Sequence, residues 1–491
     1  MHTKFLDKNE RKQVGFDYII NKLKVITPYG QQEKKNIKVF KRDEKEKLIR
    51  EYDYIELTIE IIEENKEILR DIEEILFKIK DIRNSVKRCK NFNILDEIEL
   101  YEVKIFSLLN EELRRLIEQL GLSIKDITLK SLDRVIDLLD PEGRRIPTFQ
   151  IYESYSEKLV EIRKQKCSIE KKIYLEVDEK NIKELKQARL NIIILEKDEE
   201  LKIKEVISNK LEKEIEKIEN NIKSIGRFDF LIAKAKLAIE YKGRKPSIKE
   251  KTVMEFDKIF NPEILDILTS MGENFTSTSV NIKSGTTIIT GANMGGKSVT
   301  LKTIALNLLM GMMGFFIFAK KAAFPILDFI YFVSDDLQSV SKGLSTFGAE
   351  IIKLKKIIED VKEGEGFISL DEFARGTNPI EGSYIVESVS KYLNKFSSIS
   401  LIATHYDGVA KEDMEHYQVV GLKNVDFGLL KHRINMDKSN SVEIIQNYMD
   451  YNLEKIPYNH KVPKDALNIS ILLGLDEDVI RLTKKYYDKE E

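Results

Sequence analysis

The chain has 491 residues, too many for one core, so roughly two to four domains are expected. Its 81 Lys+Arg against 83 Asp+Glu give a formal net charge of −2, without the basic excess of a dedicated nucleic-acid binder. Two cysteines, Cys89 and Cys167, show neither pairing nor metal spacing and suit a reducing cytoplasm, and the polar start MHTKFLDKNERK is not a signal peptide.

Up to about residue 250 glycine is rare, charge is dense and apolar residues recur at helical spacing, which predicts an all-α region. Phe16, Ile19, Ile20 and Leu23 line one helical face, which Thr27–Gly30 (TPYG) is expected to terminate. Helical periodicity runs from Glu44 to Asn91 and again from Asp96 to Leu120, ahead of the loop LDPEGRRIPTF (Leu139–Phe149). Leu159, Ile162, Ile169 and Ile173 then fall on heptad positions, as do Leu211, Ile215, Ile218, Ile222 and Ile225. They predict an antiparallel helical arm with its tip near Tyr174–Glu200. GRKPSI (Gly243–Ile248) reads as the linker into a second half where short β-rich runs alternate with helices, the pattern of an α/β domain.

That half carries the chemistry. A β-rich run, Thr287–Thr290, precedes the sequence Gly291, Ala292, Asn293, Met294, Gly295, Gly296, Lys297, Ser298, Val299, and a helix pattern follows. Glycines at these places let backbone N–H groups curl round phosphates, and the helix start adds its positive end. Lys297 is expected on the β- and γ-phosphates of ATP, and the Ser298 hydroxyl on Mg²⁺. The uncharged stretch Thr303–Ala319, interrupted by Asn307, Gly311 and Gly314, is short for a membrane span and is expected to be a buried helix, so no membrane partner is expected. Ser345 and Thr346 precede a helix pattern and read as its anion-binding cap. Phe367–Leu370 reads as a buried strand whose end presents Asp371 to Mg²⁺ and Glu372 to the attacking water. The strand in Ser398–Gly408 ends at Thr404 and His405, and should lie parallel to it, placing His405 as a γ-phosphate sensor.

Together these residues resemble the MutS family, ATPases within the ABC class, across Phe260–Tyr487 and more loosely across the helical half. TGANMGGKS is similar to the family's phosphate loop, STFGAE to its Ser-Thr-Phe signature, LDEFARGTNPIEG to its Asp-Glu strand, and ATHYD to its Ala-Thr-His switch. The resemblance implies a multidomain protein: an all-α core at 1–150, a lever and clamp arm at 151–249, a P-loop ATPase domain at 250–440 and a C-terminal dimerising segment at 441–491. It implies a homodimer, or a heterodimer with a related subunit, sharing ATP across the seam. Ser345 and Thr346 would touch the partner's ATP, while Arg375, Gly376, Thr377 and Asn378 would form the seam loop and Phe275 would stack on adenine.

Ala292 stands where the family has proline, and Gly348 where it has methionine. No Phe-x-Glu occurs in the first hundred residues, so the mismatch-reading domain of the family is not expected, nor a nuclease-like extension. The tip Tyr174–Glu200 carries five basic against eight acidic residues, which would repel phosphates. Two clients stay open: duplex DNA, as in mismatch repair, and a cobalamin-dependent lysine or ornithine aminomutase. The resemblance reaches reactivating factors for the latter through DPEGRRIP (Asp140–Pro147) and DEFARGTNP.

Overall fold

Runs of Thr, Ile, Leu and Phe without alternation, such as GTTIIT and FISLD, form strands buried on both faces of a mainly parallel sheet. The computed structural model describes residues 4–121, 124–291, 295–334, 346–436, 441–458, 460 and 465–487. The chain forms two units by internal contacts: Met1–Leu23 with Lys38–Glu56 and Lys234–Glu491, and Lys24–Ile37 with Leu57–Ala233. Two of the crossings between them, at 56/57 and 233/234, fall inside the continuous helices Lys45–Glu64 and Ile215–Glu240.

The first unit contains, in chain order, β1 (Ser247–Lys249), β2 (Val253–Ile259), β3 (Thr278–Lys283), β4 (Gly285–Thr290), β5 (Lys321–Pro325), β6 (Ile330–Val333), β7 (Phe367–Asp371), β8 (Ile399–Ala403), β9 (Glu415–Gly421) and β10 (Asp450–Lys455). One sheet has the order β1-β5-β2-β3 and the other β10-β9-β4-β8-β7-β6. In the larger sheet only β10 runs antiparallel to its neighbour. The registers Ile289↔Ala403 and Asp371↔Ala403 bring the C-terminal ends of β4, β7 and β8 to one edge, as expected from sequence. At the far side the chain start pairs with β6: Leu6 N donates to Ile330 O (3.1 Å), and Ile330 N to Lys4 O (2.8 Å).

Helix Lys297–Met312 is buried almost all round, which accounts for its uncharged sequence. No helix among the described residues is long and apolar enough to cross a membrane. Its interruptions have local reasons. Asn307 is fully buried and satisfied, donating to Phe260 O (3.0 Å) and Thr303 O (2.9 Å) while accepting from Phe318 N (2.8 Å). At Gly311 a Cβ would lie 2.6 Å from Phe324. Past the helix end, the buried Lys234 ammonium is held by Glu51 (2.7 Å), by Gly314 O (2.9 Å) and over the Phe315 ring (4.3 Å).

The second unit is helical. TPYG starts a helix there instead of only ending one: Thr27 caps Pro28–Lys35 by accepting from Gly30 N, with proline in the first turn. The buried Asp229 carboxylate accepts from Ile26 N, Thr27 N and the Thr27 hydroxyl, fixing that cap.

The arm is antiparallel, but its partners differ from those the heptads suggest. Helix Glu157–Leu175 pairs with Glu179–Glu212, and the turn is only Glu176–Asp178. The Leu211–Ile225 repeat is broken after Glu212, and Ile215–Glu240 is a separate helix. Cross-pairs set the register: Ser156 and Lys158 with Glu199, Arg163 with Glu196 and Glu200, Lys166 with Glu196, and Glu170 with Arg189. Three acids counted with the tip are therefore matched by cations of the outgoing helix. Between residues 170 and 190 six basic residues stand against five acidic ones, so the arm's end lacks the acidic excess expected. It also exposes Tyr174 (89%), Leu175 (77%) and Val177 (89%).

Candidate active site

Three chain segments meet at the edge formed by β4, β7 and β8. After β4, Gly291 (φ 137°) turns against Val419 of β9, where a Cβ would come within 3.0 Å. Gly296 (φ 82°) caps the following helix, and a Cβ there would meet the Tyr451 ring at 3.0 Å. Lys297, almost fully buried, donates to Gly291 O (2.7 Å) and lies 3.9 Å from Glu372. Asp371 ends β7 beside the Ser298 hydroxyl, and its Oδ1 is buried without a hydrogen-bond partner. Glu372 follows with φ 50°, its N–H on Ala403 O (3.0 Å) and its Oε2 accepting from Arg375 (2.6 Å).

A cavity of about 830 Å³ opens on this edge. Lys297, Ser298, Glu372 and Arg375 line its polar end, and Leu268, Met271, Phe275, Met449 and Tyr451 its apolar part. One end therefore suits phosphates and the other an aromatic base. Burial pushes the Lys297 ammonium below its ordinary 10.5, opposed by Glu372 and Asp371. Burial also raises the Asp371 carboxyl above 3.8, opposed by the Ser298 hydroxyl. His405, just beyond β8 and stacked on Tyr406 (ring centroids 4.3 Å apart), is lowered below 6.5 by partial burial; Glu372 opposes this, and Lys297 and Arg375 add to it. The edge thus holds a cation, two carboxylates and an imidazole that stays neutral at pH 7.

The remaining expected residues differ in placement. Ala292, Asn293, Met294 and Ser345 lie outside the described residues. Thr346 is the first residue of helix Thr346–Val361. Gly295 and Val299 line the cavity. Arg375, Gly376 and Asn378 are exposed, while Asn378 also caps helix Pro379–Leu393 by accepting from Ile380 N (2.9 Å). Tyr451 of β10 and Met449, just before that strand, were not anticipated, because β10 is placed by its antiparallel pairing with β9. His416 was missed as well. Pro457 O can only accept, so His416 Nδ1 carries the proton and Nε2 accepts from the Thr290 hydroxyl (2.8 Å), one residue before Gly291. A buried histidine in a β-run gives no sequence signal of that contact.

A mainly parallel sheet with glycine turns, a buried lysine and two carboxylates at its C-terminal edge defines an α/β domain with its candidate site at that edge. The family profile described as MutS domain V matches residues 287–465. The chain is similar to Endonuclease MutS2 of Caldanaerobacter subterraneus subsp. tengcongensis, 27% identical over 296 residues covering 58% of this chain and 33% of that protein. To Endonuclease MutS2 of Acetivibrio thermocellus it is 27% identical over 301 residues (56% and 32%), and to that of Staphylococcus epidermidis (strain ATCC 12228) 34% over 183 residues (37% and 23%). Residues 287–465 of the chain therefore correspond to MutS domain V. The chain spans about a third or less of the length of these relatives.

Proposed function

We propose that the chain hydrolyses ATP at the β4–β7–β8 edge. The observation that carries this is the convergence of Lys297, Ser298 and Glu372 on one wall of a nucleotide-sized cavity, with Asp371 beside the Ser298 hydroxyl. Lys297 binds the β- and γ-phosphates, and the apolar end, with Phe275 and Tyr451, receives the base. Asp371, with an unpartnered buried oxygen, and Ser298 fit a divalent cation and would hold Mg²⁺, which supplies charge neutralisation for the phosphates. Glu372 orients a water and takes its proton as the oxygen attacks the γ-phosphorus and the bond to ADP breaks. His405 senses the γ-phosphate from the end of β8.

The exposed Arg375–Asn378 loop forms the seam of a dimer, with Ser345 and Thr346 of one subunit completing the other's site. The helical half divides into core (1–150) and lever with clamp (151–249), before the ATPase domain (250–440) and dimerising segment (441–491). Glu372→Gln tests the core assignment: turnover is lost while ATP affinity stays. Unchanged turnover would mean the base is misassigned.

The client has two readings. The match to MutS domain V and relatives named endonucleases favour duplex DNA, with a role in mismatch repair. The arm's end, with its near-balanced charge and exposed Tyr174, Leu175 and Val177, favours a protein such as a cobalamin-dependent aminomutase in need of reactivation. Affinity capture of Glu372→Gln with ATP separates them. Salt-sensitive recovery of duplex DNA supports the first, and recovery of a metabolic enzyme that ATP and this chain then reactivate supports the second.

A further inference from the structure

We infer that Glu350 is a positioning residue for Glu372. Glu350 lies in the first turns of helix Thr346–Val361, is 1% exposed, and its Oε2 accepts from Ala374 N at 3.1 Å. Ala374 has φ 63° and Glu372 φ 50°, so two non-glycine residues of one short turn stand in the left-handed region. Two other N–H groups of the turn bond to backbone: Glu372 N donates to Ala403 O (3.0 Å) and Arg375 N to Glu372 O (3.3 Å). The Ala374 N–H points instead into the protein, where only a side chain meets it. A buried N–H requires an acceptor, and here the acceptor also holds the backbone two residues beyond Glu372 in its left-handed form.

The helix bearing Glu350 is a firm support. Lys353, one turn on, donates to Phe332 O of β6 (3.2 Å) and forms ion pairs with Glu10 of helix Lys8–Gln13 and with Asp7, which caps that helix. Leu354 and Ile357 pack into the core beside β7, and Asp360 accepts from Tyr331 (2.5 Å). Glu350 therefore transmits the position of this helix to the turn that aims Glu372. The sheet fixes Glu372's N–H; Glu350 fixes the far side of the same turn. Aim on the attacking water needs both, because small displacements of a reacting group are costly in rate.

This rests on Glu372 being the group that polarises the water. The test compares the full chain with Glu350→Ala, Glu350→Gln and Glu350→Asp, each alone and with Glu372→Gln. The readouts are steady-state ATP hydrolysis with Mg²⁺ and affinity for a fluorescent ATP analogue. Glu350→Ala is expected to lower kcat about 10- to 100-fold. Affinity should move by less than about threefold. Glu350→Gln keeps an acceptor at the same reach and should turn over near the wild-type rate. Glu350→Asp keeps the charge but falls one methylene short, and should behave like alanine.

In the Glu372→Gln background Glu350→Ala should remove nothing further. An Asp variant faster than Gln, or affinity falling in step with kcat, would overturn the positioning role. Full turnover by Glu372→Gln alone would overturn the assignment beneath it. Should Glu350→Ala fail to fold, the order of the Gln and Asp variants still decides.

Discussion

The β4–β7–β8 edge and the helical arm spend charge in opposite ways. At the edge, Lys297, Asp371 and Glu372 are largely removed from water, and each is held by specific groups: Gly291 O, Ser298, and Arg375 with Ala403 O. Along the arm, Arg163, Lys166 and Arg189 face Glu196, Glu200 and Glu170 at a near-constant register, the cations a quarter to two-fifths exposed. Function at the edge is concentrated in single atoms, whereas the arm's shape is distributed over many pairs worth little each. One lost group should therefore be decisive in the first region and minor in the second.

The largest effect should come from Glu372→Gln, with kcat for ATP down by roughly 10²- to 10⁴-fold and nucleotide affinity unchanged in equilibrium titration. Lys234→Met tests whether burial alone makes a residue decisive, since it removes the cation of a buried ion pair with Glu51, 3% and 6% exposed, away from the catalytic edge. Denaturant unfolding should show a loss of about 3–5 kcal/mol. Tyr451→Ala should weaken ATP binding about tenfold, from loss of ring contact worth about 1–2 kcal/mol, with kcat at saturation preserved.

On the arm, Glu196→Gln should cost only about 1 kcal/mol or less, and less still at high salt. Burial raises Glu196, but Lys166 and Arg163 more than offset this, leaving its carboxyl below 4.5. The Glu196 contribution is thus present above about pH 4.5 and lost as pH falls through its folded pKa, which thermal melts of wild type and Glu196→Gln at pH 7 and pH 4 will resolve. For the edge, His405 stands below 6.5 and is neutral at pH 7, so kcat should be flat from pH 7 upward to about 8. A limb centred at or above pH 6.5 that vanishes in His405→Asn would contradict that.

The same contrast explains what the sequence discloses. Strand, glycine turn, lysine and helix follow one another locally around Gly291–Val299, and β7 and β8 each announce themselves as short apolar runs ending in polar groups. Their parallel register follows from elementary sheet topology. Tyr451, His416 and Glu350 act through partners that no periodicity encodes: Tyr451 meets Gly296 at a separation of 155, His416 reaches Thr290 at 126 and Glu350 reaches Ala374 at 24. The arm failed differently. The heptad Leu211–Ile225 is real, yet it spans a break after Glu212, and an apolar stripe does not name the helix it packs against. The charge count at the tip inherited that error, because the acids at Glu196, Glu199 and Glu200 belong to pairs down the arm.

The pairing of residues 4–6 with β6 has a practical consequence. β6 is the last named strand of its sheet, and Lys4 and Leu6 occupy hydrogen-bonding groups of Ile330 that would otherwise be offered outward. An uncovered strand of this apolar kind is a template for adhesion between molecules. Shortened versions lacking the first dozen residues should be prone to aggregate during purification, and affinity tags are better carried at the other terminus.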